Sequence, residues 1–145
     1  MRYLFLFLVC VLLTQCDLST QKSGGKGLYE KWQHYLGDPT RSHYSTLSEF
    51  NFENIKSLKI AWEYQCKDFG QMQMNPIVVD SLLYGVSAAL RAFALDARTG
   101  EEVWVFGDSL KTWFSTSRGV TYWESGEDKR IFYTIGSDSV SYTHL

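Results

Sequence analysis

The chain has 145 residues, 45% hydrophobic and 21% charged, with a formal net charge of −2. Those values place it among globular proteins of at most one ordinary domain, exclude a disordered chain, and argue against nucleic acid or another polyanion as partner. Aromatic residues make up 16%, with five Trp, and only two Pro occur, so large rings are core material first and the turns must rest on Gly, Asp, Asn and Ser.

Arg2 precedes an apolar run from Tyr3 to Leu13, which is too short to cross about 30 Å of hydrocarbon as a helix and reads as an export signal. The run ends in LLTQC, which resembles the lipobox of bacterial lipoproteins, with Cys16 as the thiol that takes the lipid. Gln15 stands where a small residue is usual, and plain signal cleavage nearby is the alternative. Residues 1–16 are thus expected to be a lipoprotein-type signal, and the mature protein a periplasmic lipoprotein anchored to a bacterial membrane. With Cys16 acylated, Cys66 has no disulfide partner, and it is expected as a small buried or edge residue. Residues 17–27, DLSTQKSGGKG, form a polar tether without apolar period.

The folded body is expected over 28–139. LYEKWQHYLGD, Leu28 to Asp38, suggests a short helix or an irregular cap. FENIKSLK suggests a second brief helix, because Phe52, Ile55 and Leu58 recur three apart. Strands are expected at Lys59 to Gln65, Pro76 to Val79, Leu82 to Ser87, Leu90 to Leu95, Glu101 to Phe106, Gly119 to Glu124 and Arg130 to Ile135. The hairpin RAFALDARTGEEVWVF carries alternating apolar arms around Asp96 and Gly100. An Asp at the turn entrance accepts backbone N–H groups, and a Gly at the exit supplies positive φ. IAWEY around Trp62 is similar to EVWVF around Trp104. A spacing of about 40 residues carrying four strands is the span of one propeller blade, and a bulky side chain at a fixed place in each outer strand fills the gap to the next blade.

ALDARTGEEVW resembles the tryptophan docking motif of the pyrroloquinoline quinone (PQQ) dependent dehydrogenases, A-x-D-x-x-x-G-x-x-x-W, with Ala94, Asp96, Gly100 and Trp104 at its fixed positions. WQHYLGDPTRSHYSTLSEFNFENIKSLKIAWEY is similar to that family's opening segment, QMQMNPIVVDSLLYGVS to its first inner strands, and SRGVTYW to the segment that carries a cofactor-binding Arg. The resemblance runs from about Trp32 to Ser137 and favours the glucose-dehydrogenase-like branch. It implies an all-β fold, the N-terminal part of an eight-bladed β-propeller comprising the first blade and part of the second, with short N-terminal helices. It also implies PQQ in the central channel beside calcium, with hydride transfer from a sugar or alcohol to the quinone. Electrons would pass to a membrane quinone or a cytochrome.

By the same resemblance Arg118 is a PQQ-binding candidate, since a planar cation suits a tricarboxylate ligand. Gln73 takes a position near the cofactor where related enzymes often place Glu. Some relatives carry a vicinal disulfide shortly before the Arg, and KTWFSTS contains no Cys there. The family's calcium ligands and catalytic Asp come from later blades, so no catalytic or metal-ligating residue is assigned. His34 and His43 lack partners at metal-ligand spacing, Met72 and Met74 suit packing, and Glu101, Glu102, Glu127 and Asp128 fall at solvated turns or edges. The five Trp are expected mostly in blade packing. After IGSDS the family pattern predicts another strand and turn, whereas Val140 to Leu145, VSYTHL, matches one reading frame of a sequencing adapter and is expected to be non-native, with the biological protein continuing. One blade and part of another leave open strand edges, so this portion alone is expected to be poorly stable and inactive. The alternative reading is a non-enzymatic propeller lipoprotein, an outer-membrane assembly scaffold or a binding module with PQQ-like repeats.

Overall fold

The computed structural model describes residues 30–107, 116–135 and 138–142. Within them seven strands form: β1 Ile77–Val79, β2 Leu82–Val86, β3 Ala92–Asp96, β4 Glu102–Phe106, β5 Thr121–Ser125, β6 Asp128–Ile135 and β7 Asp138–Tyr142. They make two separate antiparallel sheets in simple meander order, β1-β2-β3-β4 and β5-β6-β7. The architecture is all-β, and successive sheets pack face on face as consecutive propeller blades do.

Strict alternation decides the faces. In the first sheet Ile77, Val79, Tyr84, Val86, Ala92 and Ala94 join one buried cluster with Val120, Tyr122, Ile131 and Tyr133 of the second. Trp104 packs against this cluster, its ring 6.0 Å from that of Tyr84. Small Ala at 92 and 94 leave room for those rings between the sheets. The opposite face carries Leu83, Gly85, Phe93 and Leu95. At Gly85 a Cβ would stand 2.5 Å from the Phe93 ring and 2.7 Å from the Met74 methyl, so a larger residue would have to displace those side chains.

The hairpin between β3 and β4 forms as its residues dictate. The Asp96 carboxylate accepts the Arg98 and Thr99 N–H groups at 2.8 and 3.1 Å, and Gly100, at φ +75, donates its N–H to the Asp96 carbonyl at 2.8 Å. Bonds to these backbone groups hold the Asp96 carboxyl below its ordinary range. Ala97 N–H bonds the Ser81 carbonyl at 2.8 Å, tying this hairpin to the β1–β2 turn. On the hairpin rests Trp62. A Cβ on Gly100 would stand 2.6 Å from the indole, whose Nε1 donates to the Ala97 carbonyl at 3.2 Å.

Two expectations for the N-terminal part are corrected. Lys59 to Gln65 runs without regular secondary structure and joins no ladder among the described residues. Extended backbone becomes a strand only beside an edge that accepts it, and here side chains alone anchor it, through Trp62 and through Tyr64 against Phe93 at 5.3 Å. The second helix shrinks to a single 3-10 turn, Ile55–Ser57. Its apolar spacing meets no surface, since Phe52 is 98% exposed and Ile55 and Leu58 are also exposed, and isolated turns lack the cooperativity to extend. The first helix gives way to its alternative, an irregular cap. Trp32 and His34 make isolated bridges to Val78 and Gly37, and the buried Asp38 carboxylate gathers the Thr40 and Ser42 hydroxyls and N–H groups.

The other strands match their expected places to within two residues, and β7 is additional, spanning the start of the stretch expected to be non-native. Trp123 lies on the second sheet's face opposite Tyr122, 45% exposed, with the Arg130 guanidinium 5.9 Å from its ring. Trp113, the signal and the tether lie outside the described residues. Between the sheets, Lys129 meets Asp80 at 3.0 Å, an exposed pair that salt screens.

Trp62→Ala removes the indole and its hydrogen bond, worth about 2 kcal/mol together. Amide exchange at Ala97 and Gly100 should then accelerate about thirtyfold, and unchanged exchange would show that the indole carries no load. Asp38 is held at about 2, first by the Ser42 hydroxyl and next by that of Thr40. A carboxyl depressed on folding stabilises above its ordinary value and loses that contribution as pH falls through the folded one. Between about pH 4 and 2 the thermal midpoint should therefore fall more steeply in the wild type than in Asp38→Asn; parallel slopes would contradict the assignment.

Candidate functional site

Both sequence candidates lie just ahead of the leading strand of a sheet, Gln73 before β1 and Arg118 before β5. The two approaches are joined directly: Asn75 donates its N–H to the Arg118 carbonyl at 3.0 Å. Gln73 is half-buried and Arg118 exposed. Arg118 enters no ion pair among the described residues, although four such pairs form elsewhere. An exposed guanidinium without an ion pair among the described residues is chemically suited to a planar anionic ligand.

Ser117 beside it is buried, and its hydroxyl both donates to the Gly119 carbonyl and accepts the Gly119 N–H, each at 3.2 Å. Gly119 lies at φ +130, and a Cβ there would stand 2.6 Å from the Asn75 carbonyl oxygen. Neither Ser117 nor Gly119 was marked by sequence reasoning, although Gly119 follows Arg118 directly in SRGVTYW.

A separate cleft of about 480 Å³ opens on the first sheet's other face, lined by Trp62, Tyr64, Met74, Leu83, Phe93 and Leu95 among others. Met72 and Met74 help line it, in keeping with a packing role, whereas the intervening Gln73 does not. Cys66 is a free, half-buried thiol at its rim, and burial pushes its pKa up, away from thiolate reactivity. Glu102 is exposed at an edge strand, as expected, and its carboxylate also accepts the Tyr64 hydroxyl at 2.7 Å, with Lys67 at 3.7 Å. Desolvation and then Glu102 raise the Tyr64 phenol above its ordinary value, so it remains a neutral donor.

His34 and His43 sit in the N-terminal cap, where the His43 N–H bonds the Leu36 carbonyl at 3.1 Å. Among the described residues no three His, Cys, Asp or Glu side chains gather as a metal cradle. No described helix is long and apolar enough to cross a membrane. Cys16 lies outside the described residues.

Residues 32–141 match the family model described as PQQ, glucose/ethanol/alcohol dehydrogenase, beta-propeller domain. The quinoprotein glucose dehydrogenase of Escherichia coli (strain K12) is 34% identical over 108 residues, 66% of this chain and 14% of that protein. Quinoprotein glucose dehydrogenase A of Acinetobacter calcoaceticus is 30% identical over 124 residues, 77% of this chain and 16% of its own length. The quinohemoprotein alcohol dehydrogenase of Comamonas testosteroni is 30% identical over 100 residues, 64% of this chain and 14% of that protein. This chain thus spans a small part of the relatives it matches. Two consecutive antiparallel sheets, an indole seated on an Asp-Gly hairpin and a family match across 32–141 make the chain a member of the PQQ-dependent glucose and alcohol dehydrogenase family, within its β-propeller domain.

Proposed function

We propose that this chain is the N-terminal part of a PQQ-dependent dehydrogenase that oxidises a sugar or alcohol, with Arg118 and Gln73 contributing to cofactor binding. The observation that carries the reading is the Asn75–Arg118 backbone bond, which sets both candidates at one end of adjacent blades with the guanidinium free of other ion pairs among the described residues. The donor chemistry fits: a fixed cation pairs with a carboxylate of the quinone, and an uncharged amide hydrogen-bonds a carbonyl or a neighbouring carboxylate. PQQ, when bound, accepts the hydride of the substrate CH–OH carbon. The chain's own share is to bind and orient: Arg118 fixes the charged rim, Gln73 adds a neutral contact, and the packed sheets exclude water on one side.

Calcium belongs to the same proposal, its ligands and the general base supplied by later blades. So do eight blades, a sugar substrate favoured by the glucose dehydrogenases among the relatives, and a membrane quinone or cytochrome as electron acceptor. Lipidation at Cys16, followed by the 17–27 tether, would hold the body at the periplasmic face of a bacterial membrane.

PQQ titration of the complete protein that carries this chain tests the reading. Loss of one charge-assisted contact predicts that Arg118→Ala weakens PQQ binding about 10- to 100-fold, with a smaller effect from Gln73→Ala. A complete protein that binds no PQQ would favour the non-enzymatic propeller instead.

A further inference from the structure

We propose that Gly119 and Ser117, with the main chain of Asn75, form a clasp between the two blades that positions Arg118 for the cofactor. The inference rests on Arg118 binding PQQ, and it assigns a role to residues that themselves touch no ligand.

Three features bracket Arg118. Its carbonyl is held by the Asn75 N–H at 3.0 Å, which fixes the peptide plane leaving Arg118. The Ser117 hydroxyl spans the residue, bonding both the N–H and the carbonyl of Gly119 at 3.2 Å, and Ser117 itself is 7% exposed. Gly119 then turns the chain into β5 at φ +130, with the Asn75 carbonyl oxygen 2.6 Å from where a Cβ would stand. That neighbour is backbone and cannot rotate away, so any side chain at 119 must separate the two strands' approaches. The same three contacts leave the Arg118 side chain exposed. A long flexible cation loses considerable rotamer freedom when it is fixed on a ligand, and a backbone already locked limits the added ordering. The clasp also couples the sheets: moving β1's approach moves the guanidinium on β5's approach.

The test measures PQQ dissociation constants on the complete protein for Gly119→Ala, Arg118→Ala and the double variant, with Ser117→Ala and Ser117→Thr beside them. Amide exchange at Asn75 without cofactor provides a second readout. Gly119→Ala should abolish protection of the Asn75 N–H and weaken PQQ at least about tenfold. In the Arg118→Ala background it should add almost nothing, because residues acting through one contact are not additive. Ser117→Ala should weaken PQQ to a lesser degree, with Ser117→Thr near wild type. Additive effects of Gly119→Ala and Arg118→Ala, or intact Asn75 protection in Gly119→Ala, overturn the clasp while leaving PQQ binding by Arg118 in place. An Arg118→Ala variant that binds PQQ as tightly as wild type overturns both. Should Gly119→Ala fail to fold, the Ser117 pair decides: equal PQQ affinity in Ser117→Ala and wild type overturns the clasp.

Discussion

The seating of an indole on a hairpin that lacks a Cβ is the contact on which the arrangement depends. Trp62 comes as close to the main chain at Gly100 as it does only because that position is glycine at φ +75. The hairpin is held in the required shape by Asp96, whose carboxylate satisfies two turn N–H groups that would otherwise be left open. The indole contributes burial and one directed bond to Ala97. Sheet, turn and preceding segment are thereby joined through one small area. Trp104, at the corresponding place in EVWVF, packs among Tyr84 and the second sheet's buried residues. The two tryptophans therefore make different contacts, Trp62 on a turn and Trp104 against the core between the sheets.

From that lock the route to the site is short. β1 begins after Pro76 and β5 after Val120, and the segments just before them meet at Asn75 and Arg118. The Asn75–Arg118 bond joins the two sheets directly at this edge. What lies at this edge is an exposed cation, Arg118, with no ion pair among the described residues, and a half-buried neutral amide, Gln73. The apolar cleft on the far face of the first sheet has the opposite character, lined by Phe93, Leu95 and Met74.

Much of this was legible in the residues themselves. Alternation and the Asp–Gly turn predicted the β3–β4 hairpin, because both signals are local and both act through the backbone. The likeness of IAWEY to EVWVF predicted the role of Trp62, but it also predicted a strand there, and strand pairing depends on a partner that no local pattern reveals. Phe52, Ile55 and Leu58 had helical spacing without a surface to bury against, so periodicity alone misled. Glu102 is exposed as its position suggested, but its hydrogen bond from Tyr64 was not legible, because that partner is distant in sequence. Gln73 and Arg118 were marked by family likeness, whereas the reason for Gly119 between Arg118 and β5 emerged only from the Asn75 carbonyl opposite it.

An experimental structure of the complete protein with PQQ bound tests the central claim most directly. Trp62 should be seated on the Gly100 turn, and the Arg118 guanidinium should lie within hydrogen-bonding distance, about 2.7–3.2 Å, of a PQQ oxygen. PQQ bound elsewhere with Arg118 in solvent, or Trp62 detached from the hairpin, would contradict that claim.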